Sequence, residues 1–197
     1  MFWFEPPNEL VNWEFAVEDV LTDADIKYIE NYVNDNKQAL VKAEVRTEGN
    51  PVDNDYRRSS IMFLDDMDIM QEIYGKVYKT VFDVNAVHFK YALSYSEPFQ
   101  YSVYDSNELG CYDVHCDSYL RNTSGFTRKI SFSILLSDPS EFEGGDLLLH
   151  TEKTPVKMPL KKGSIILFPS FAPHSVTPVT KGVRKALVGW MCGPNLV

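Results

Sequence analysis

The apolar positions of this chain change their period near residue 95. Before that point two stretches repeat at helical spacing. Ile26, Ile29 and Val33 form one stripe, and Met70, Ile73, Val77 and Val81 form another. Thr22, with Asp25 three residues later, suits the start of the first helix as a capping box. The second helix is expected over 66–81, with Asp65, Asp66 and Asp68 crowding its N-terminus, where negative charge suits the helix dipole. Ser59–Leu64, between the two, reads as a strand.

The rest of the pattern is that of short strands, expected at 88–95, 99–104, 111–119, 128–137, 145–150, 164–168, 174–179 and 183–191. The breaks between them have a mechanism. Asp138-Pro139 starts a turn, Gly144-Gly145 permits backbone conformations closed to other residues, and Lys162-Gly163 and Lys181-Gly182 suit tight hairpins. Helices followed by many short strands define an α+β chain whose core is a β-barrel or jelly roll. A length of 197 residues suits one domain, with 1–95 as support and 96–192 as the core.

Composition changes this picture little, but it narrows the partners. Hydrophobic residues make up 44% and charged residues 24%, ordinary for a globular protein, and 13% aromatics lean toward strands. The net charge of −9 argues against nucleic acid as a partner. A small basic cluster over 121–129, including Arg128, is the one stretch against that trend. Cys111, Cys116 and Cys192 are too few for a disulfide framework and suit a reducing compartment. The N-terminal MFWFEPPNEL has no basic stretch ahead of an apolar one, and no apolar run is long enough for a bilayer. The expected location is therefore cytoplasmic, with no membrane partner.

His115 and Asp117 stand two apart on an expected strand, so both side chains project from one face toward one space. A surface strand with alternating polar residues has the same text, so the pair alone does not decide. His174 follows a proline-rich turn between two apolar strands and supplies a third ligand. His88 and His150 read as hydrogen-bonded core or edge histidines. Two histidines and a carboxylate leave positions open on an octahedral metal, as in non-haem iron(II) oxygenases, though zinc can use the same three ligands. Arg184 lies ten residues after His174, amid Val183, Ala186, Leu187 and Val188. A guanidinium in such surroundings is costly without an anionic partner, and it grips a carboxylate bidentately.

His115-x-Asp117 with His174-Ser-Val-Thr-Pro-Val-Thr-Lys-Gly-Val-Arg184 resembles the 2-oxoglutarate-dependent dioxygenases of the prolyl 4-hydroxylase-like superfamily, and within it the PKHD-type hydroxylases. Leu135-Leu136-Ser137-Asp138-Pro139, Phe142-Glu143-Gly144-Gly145-Asp146-Leu147 and Ile166-Leu167-Phe168-Pro169-Ser170 add to the likeness, which covers roughly residues 98–192. The resemblance implies a double-stranded β-helix (jelly-roll) core supported by the N-terminal helices. It implies Fe(II) on His115, Asp117 and His174, 2-oxoglutarate on Arg184, and dioxygen as oxidant. Tyr104 would hydrogen-bond the co-substrate, and Trp190 and Val176 would line the same pocket. Tyr112 would stand near the substrate. Leu135 occupies a place where animal oxygen-sensing prolyl hydroxylases carry a tyrosine, so the second anchor falls to Thr177 or Ser133.

The expected function is thus hydroxylation of a C–H bond, with release of succinate and CO2. A peptidyl proline is the favoured substrate, and a free amino acid or small cyclic amine the alternative. A zinc hydrolase on the same ligands, or a non-catalytic jelly-roll binding module, are the readings from other classes. The stretches Val45–Arg58, Asn107–Gly110 and Leu120–Thr127 read as loops suited to cover the barrel mouth and select substrate.

Overall fold

A computed structural model of the protein describes residues 14–44, 56–118, 125–159 and 161–195. The N-terminal part contributes β1 (Phe15–Val17), α1 (Asp23–Asp35), β2 (Val41–Lys42), β3 (Arg57–Arg58), β4 (Ser60–Leu64) and α2 (Gln71–Val84). The remainder contributes β5 (Tyr95–Ser96), β6 (Phe99–Asp105), β7 (Cys111–His115), β8 (Phe126–Leu135), β9 (Phe142–Gly144) and β10 (Leu147–Leu149). It ends with β11 (Val156–Lys157), β12 (Ile165–Pro169), β13 (His174–Val176) and β14 (Val179–Pro194).

Two antiparallel sheets result. The larger runs β1-β12-β8-β14-β6-β4-β2, with β5 and β9 also paired to β14; the smaller runs β11-β10-β13-β7-β3. Together they form the jelly roll that the residue pattern implied. The period-two alternation sorts side chains between two interiors. Ile130, Phe132, Ile134, Phe99, Tyr101, Leu187 and Met191 pack with Ile26, Ile29, Val33, Ile73, Val77 and Val81 in a core under the helices. Tyr104, Leu135, Ile166, Phe168 and Val176 belong to a second core between the sheets.

The first helix starts as expected. Asp25 N–H donates to Thr22 Oγ1 at 3.3 Å, and Thr22 N–H donates back to Asp25 Oδ2 at 2.9 Å. The second helix starts at Gln71 rather than Asp66, because Asp66 Oδ1 accepts from Ile69 N–H and winds the preceding residues into a turn. The expected strand at 88–95 is a correction of a different kind. Residues Asn85–Phe89 form a π-type turn ending at Lys90 (φ 56°), and only Tyr95–Ser96 are strand. Both polar ends of the Asn85 amide are tied to the Tyr91 backbone, which holds this segment off any sheet.

Neither expected glycine hairpin forms. Residues 181–182 lie within β14, paired with Glu143 and Phe142 of β9. There the positive φ of Gly182 lets the strand pass Glu141 O, which a Cβ would meet at 2.0 Å. Gly163 makes a turn, but β11 and β12 on either side of it pair with other strands. The Asp138-Pro139 turn is as expected, with Asp138 accepting from Ser140 N–H. Asn107–Gly110 is a tight turn between β6 and β7 rather than a lid. Residues 45–55 and 119–124 of the other two expected mouth loops lie outside the described residues. No helix among the described residues is long and apolar enough to cross a membrane.

Candidate active site

The mouth between the two sheets holds a cavity of about 180 Å³, lined among others by Tyr104, His115, Asp117, His174, Arg184 and Trp190. His115 and His174 are directly paired residues of β7 and β13, which brings their imidazoles to 4.2 Å between centroids. The backbone thus sets the bite between them. Each ring is also fixed in rotation. His115 Nδ1 lies 2.8 Å from Asp113 O and His174 Nδ1 lies 3.0 Å from Ala172 O. A carbonyl only accepts, so both Nδ1 atoms carry the proton and both Nε2 atoms are left with a free lone pair. Those Nε2 atoms face Asp117, at 3.6 Å from Oδ1 for His115 and 3.5 Å from Oδ2 for His174.

Asp117 reaches this corner by a different route from the one its spacing suggests. The strand ends at His115, and Asp117 lies in the bend beyond it. The N–H groups of Asp117 and Ser118 both donate to Ser170 O, tying the bend to the turn ahead of His174. Ser131 Oγ donates to Asp117 Oδ2 at 2.7 Å and lies 2.9 Å from Ser170 Oγ. Within 4.8 Å of one another, His115, Asp117 and His174 offer one ligand atom each.

The electrostatics suit a cation. Burial and the neighbouring His174 push His115 down to about 4, so its imidazole is neutral and ready to ligate at ordinary pH. Burial acts to raise the Asp117 carboxyl, but the two facing imidazoles and the Ser131 hydroxyl outweigh it and hold it below the usual carboxylate range.

Arg184 lies deeper, on β14 opposite Tyr104 of β6, with its guanidinium 5.4 Å from the Tyr104 ring centroid. It is 2% exposed, its Nε has no hydrogen-bond partner, and among the described residues no carboxylate lies within ion-pair distance. Burial presses its pKa down from the ordinary value. Gly145 makes the room: a Cβ there would stand 2.8 Å from Arg184 Cδ. A buried guanidinium without its own counter-ion calls for an anion from outside.

Of the other expected site residues, Tyr104, Val176 and Trp190 line the cavity, as do Tyr112 and Ser133. Thr177 does not; its hydroxyl is spent on the Asp146 N–H at 2.8 Å. His88 stacks on Phe15, and His150 bonds Ser175, both away from the cavity. Of the small basic cluster over 121–129, residues 121–124 lie outside the described residues. Arg128 turns inward, with Nε 2.6 Å from Glu97 and its guanidinium 3.9 Å over the Trp190 ring, and Lys129 is buried. Asp117 is the only carboxylate lining the cavity among the described residues, and Glu143 pairs with Lys181 elsewhere, so the general base needed by a zinc hydrolase has no candidate there.

Two features went unread in the sequence. One is the inward direction of Arg57 and Arg128. The other is the pair Ser131 and Ser170, of which Ser131 did leave a signal. In β8 small hydroxyl residues alternate with Ile130, Phe132 and Ile134, which marks a polar space on one face of a strand buried from Lys129 onward.

With this geometry in view, the comparisons with known proteins agree. Residues 99–192 match the family model described as the 2OG-Fe(II) oxygenase superfamily. A PKHD-type hydroxylase of Prochlorococcus marinus is 40% identical over 86 residues, covering 44% of this chain and 38% of that protein. The chain thus spans well under half the length of that relative. A prolyl hydroxylase in complex with a hypoxia inducible factor oxygen degradation domain peptide fragment from Trichoplax adhaerens superposes with a TM-score of 0.72 at 19% identity, covering 91% of this chain and 83% of that one. A Pseudomonas putida prolyl-4-hydroxylase gives 0.68 at 16%, covering 91% of each. The region 99–192 is therefore similar to the 2OG-Fe(II) oxygenase superfamily. Its likeness within that superfamily is to the prolyl 4-hydroxylase-like, PKHD-type proteins. The superfamily's iron(II), 2-oxoglutarate and dioxygen fit these residues: an open His-Asp-His corner for the ion, and an orphaned guanidinium for a carboxylate.

Proposed function

We propose that this chain is a 2-oxoglutarate-dependent dioxygenase that hydroxylates a C–H bond of a peptidyl proline. His115, Asp117 and His174 hold the iron, and Arg184 grips the far carboxylate of the co-substrate. The observation that carries this reading is the buried, unpartnered guanidinium of Arg184 in the same cavity as a two-histidine, one-carboxylate corner. When bound, iron and co-substrate supply the oxidising chemistry, in which dioxygen and 2-oxoglutarate yield succinate, carbon dioxide and the hydroxyl given to the substrate.

The chain supplies position and dryness. The carbonyls of Asp113 and Ala172 hold the histidine rings with Nε2 toward the ion, and the Ser131 hydroxyl steadies Asp117. Tyr104 and Trp190 flank the co-substrate, and Leu147, Phe168, Val176 and Val188 keep its surroundings apolar, which strengthens the pairing with Arg184. Support for proline comes from the likeness to prolyl and PKHD-type hydroxylases, an argument by analogy. The three thiols, with no bridge among them, suit a cytoplasmic location.

The test is an anaerobic titration with iron(II) and 2-oxoglutarate, following the weak visible charge-transfer band of the chelate. Wild type develops the band, and His174→Ala does not. Arg184→Ala needs about a hundredfold or more 2-oxoglutarate, as expected when one partner of a buried, charge-assisted pair is removed. No band in wild type at saturating iron refutes the proposal.

A further inference from the structure

The charges that meet in this cavity do not cancel. Arg128 is matched by Glu97, which accepts from its Nε at 2.6 Å. Arg184 meets the co-substrate in the function proposed above, on which this inference rests. Arg57 also lines the cavity, and among the described residues it has no such partner. Its Nε donates to Ser59 Oγ at 2.9 Å, and among the described residues no carboxylate stands within ion-pair distance of it. The bond to Ser59 uses the side of the guanidinium and leaves the two terminal amino groups, the end suited to a bidentate carboxylate grip.

Its place is well defined. Arg57 pairs with Tyr112 in the ladder between β3 and β7, and its guanidinium carbon lies 4.4 Å from the Tyr112 ring centroid. The Tyr112 ring stacks in turn on the His115 imidazole, with centroids 3.5 Å apart and planes 18° from parallel. A single ring, that of Tyr112, therefore separates the guanidinium from His115 of the metal corner. It is half-buried and lines the same cavity as that corner.

A count of formal charges shows what is left over. With a divalent ion and the dianionic co-substrate in place, Arg57, Arg184 and the ion bring four positive charges, and Asp117 with the co-substrate returns three. One positive charge remains, and Arg57 carries it. In a protein whose net charge is −9, a local excess of this sign beside the reacting centre both attracts and orients an anion. Stacking on Tyr112 alone would not require a charge in this position, since a neutral side chain covers a ring as well.

We infer that Arg57 is the receptor for a carboxylate on the substrate, so that this site takes molecules bearing a carboxylate a few bonds from the carbon to be hydroxylated. The carboxylate can belong to a free amino acid or to an acidic residue of a peptide. The shared chemistry is the same, and the test separates the two sources.

The experiment measures binding rather than turnover. The full chain is loaded anaerobically with manganese(II) and 2-oxoglutarate, and probes are titrated by calorimetry. L-proline is compared with L-prolinamide, and the peptide acetyl-Pro-Glu-amide with acetyl-Pro-Gln-amide. The acid of at least one pair is expected to bind about tenfold to a hundredfold more tightly than its amide, the range of a charge-assisted hydrogen-bonded pair. Arg57→Met, which keeps apolar cover on Tyr112, brings the two members of that pair within about twofold, and Arg57→Lys restores part of the preference. The pair that discriminates tells amino acid from peptide. Acids that bind no better than amides, or not at all, overturn the inference, as does a preference that survives Arg57→Met. Manganese and 2-oxoglutarate load equally in all three proteins; failure to load in wild type refutes the proposed function instead.

Discussion

Ser131 carries more of the site than its size suggests. Asp117 is not held by a strand, so its carboxylate depends on the Ser131 hydroxyl at 2.7 Å and on the two backbone bonds to Ser170 O. The serine occupies Oδ2, which leaves Oδ1 as the oxygen facing His115. Ser131→Ala removes this brace without opening a large cavity. Metal affinity, measured by calorimetry with manganese(II), is expected to fall about tenfold to a hundredfold, with the far-ultraviolet spectrum unchanged. An unaltered affinity would make the serine a mere filler of β8. At this scale the residues that converge on the cavity, His115, Asp117, His174 and Arg184, were legible in the sequence, because histidine, carboxylate and arginine at such spacings are rare in apolar surroundings. The brace was not, since a hydroxyl names no partner until the fold brings Asp117 to it across 14 residues.

Elements differ in how far their pattern constrains them. The first helix is fixed at its start by the Thr22–Asp25 box, and Asp25 also meets Lys76 of α2 at 2.6 and 2.8 Å. Burial acts to raise the Asp25 carboxyl, but Lys76 and Thr22 outweigh it and hold it below its ordinary 3.8. The unfolded chain therefore takes up this proton first as pH falls, so Asp25 stabilises above that pH and ceases to below it. Urea unfolding should find Asp25→Asn less stable than wild type by about 1–2 kcal/mol near neutral pH. The gap should close as pH drops through and below 3.8. A gap that stays constant would show the carboxylate charge to be irrelevant. Periodicity located α1 and the long strands well because each buries one face. It failed over 88–93 because Phe89, Tyr91 and Leu93 do pack on the core at alternate positions, yet the backbone there is bent by Asn85 and only at Ser94 and Tyr95 does it join β14. Alternation reports burial; it does not report a neighbouring strand.

The whole molecule is knitted across its two halves. β1 extends the large sheet through β12, β4 and β2 extend it through β6, and both helices cover its outer face. We expect residues 1–197 to behave as one domain, in which 1–95 supplies cover that 96–192 cannot do without. A fragment comprising 96–195 would expose Phe99, Tyr101, Ile130, Phe132, Ile134 and Leu187, all at most 3% exposed in the intact fold. It is expected to aggregate or to bind a hydrophobic dye without cooperative unfolding. A cooperative transition in that fragment would make the N-terminal half a separable addition. The sheet topology was beyond the reach of the sequence for a physical reason: β14 pairs with β6 and β8, and nothing in its own residues names either partner.

That position of β14 has a consequence for how the protein comes into being. The strand lies between β6 and β8, yet it is synthesised after both, so until it emerges the two halves of the large sheet have no common seam. It also delivers Arg184 and Trp190. A nascent chain on the ribosome therefore presents two open sheet edges and half a cavity, and the anchor proposed for the co-substrate is missing until translation has passed residue 184, although the His115, Asp117 and His174 corner precedes it in the chain.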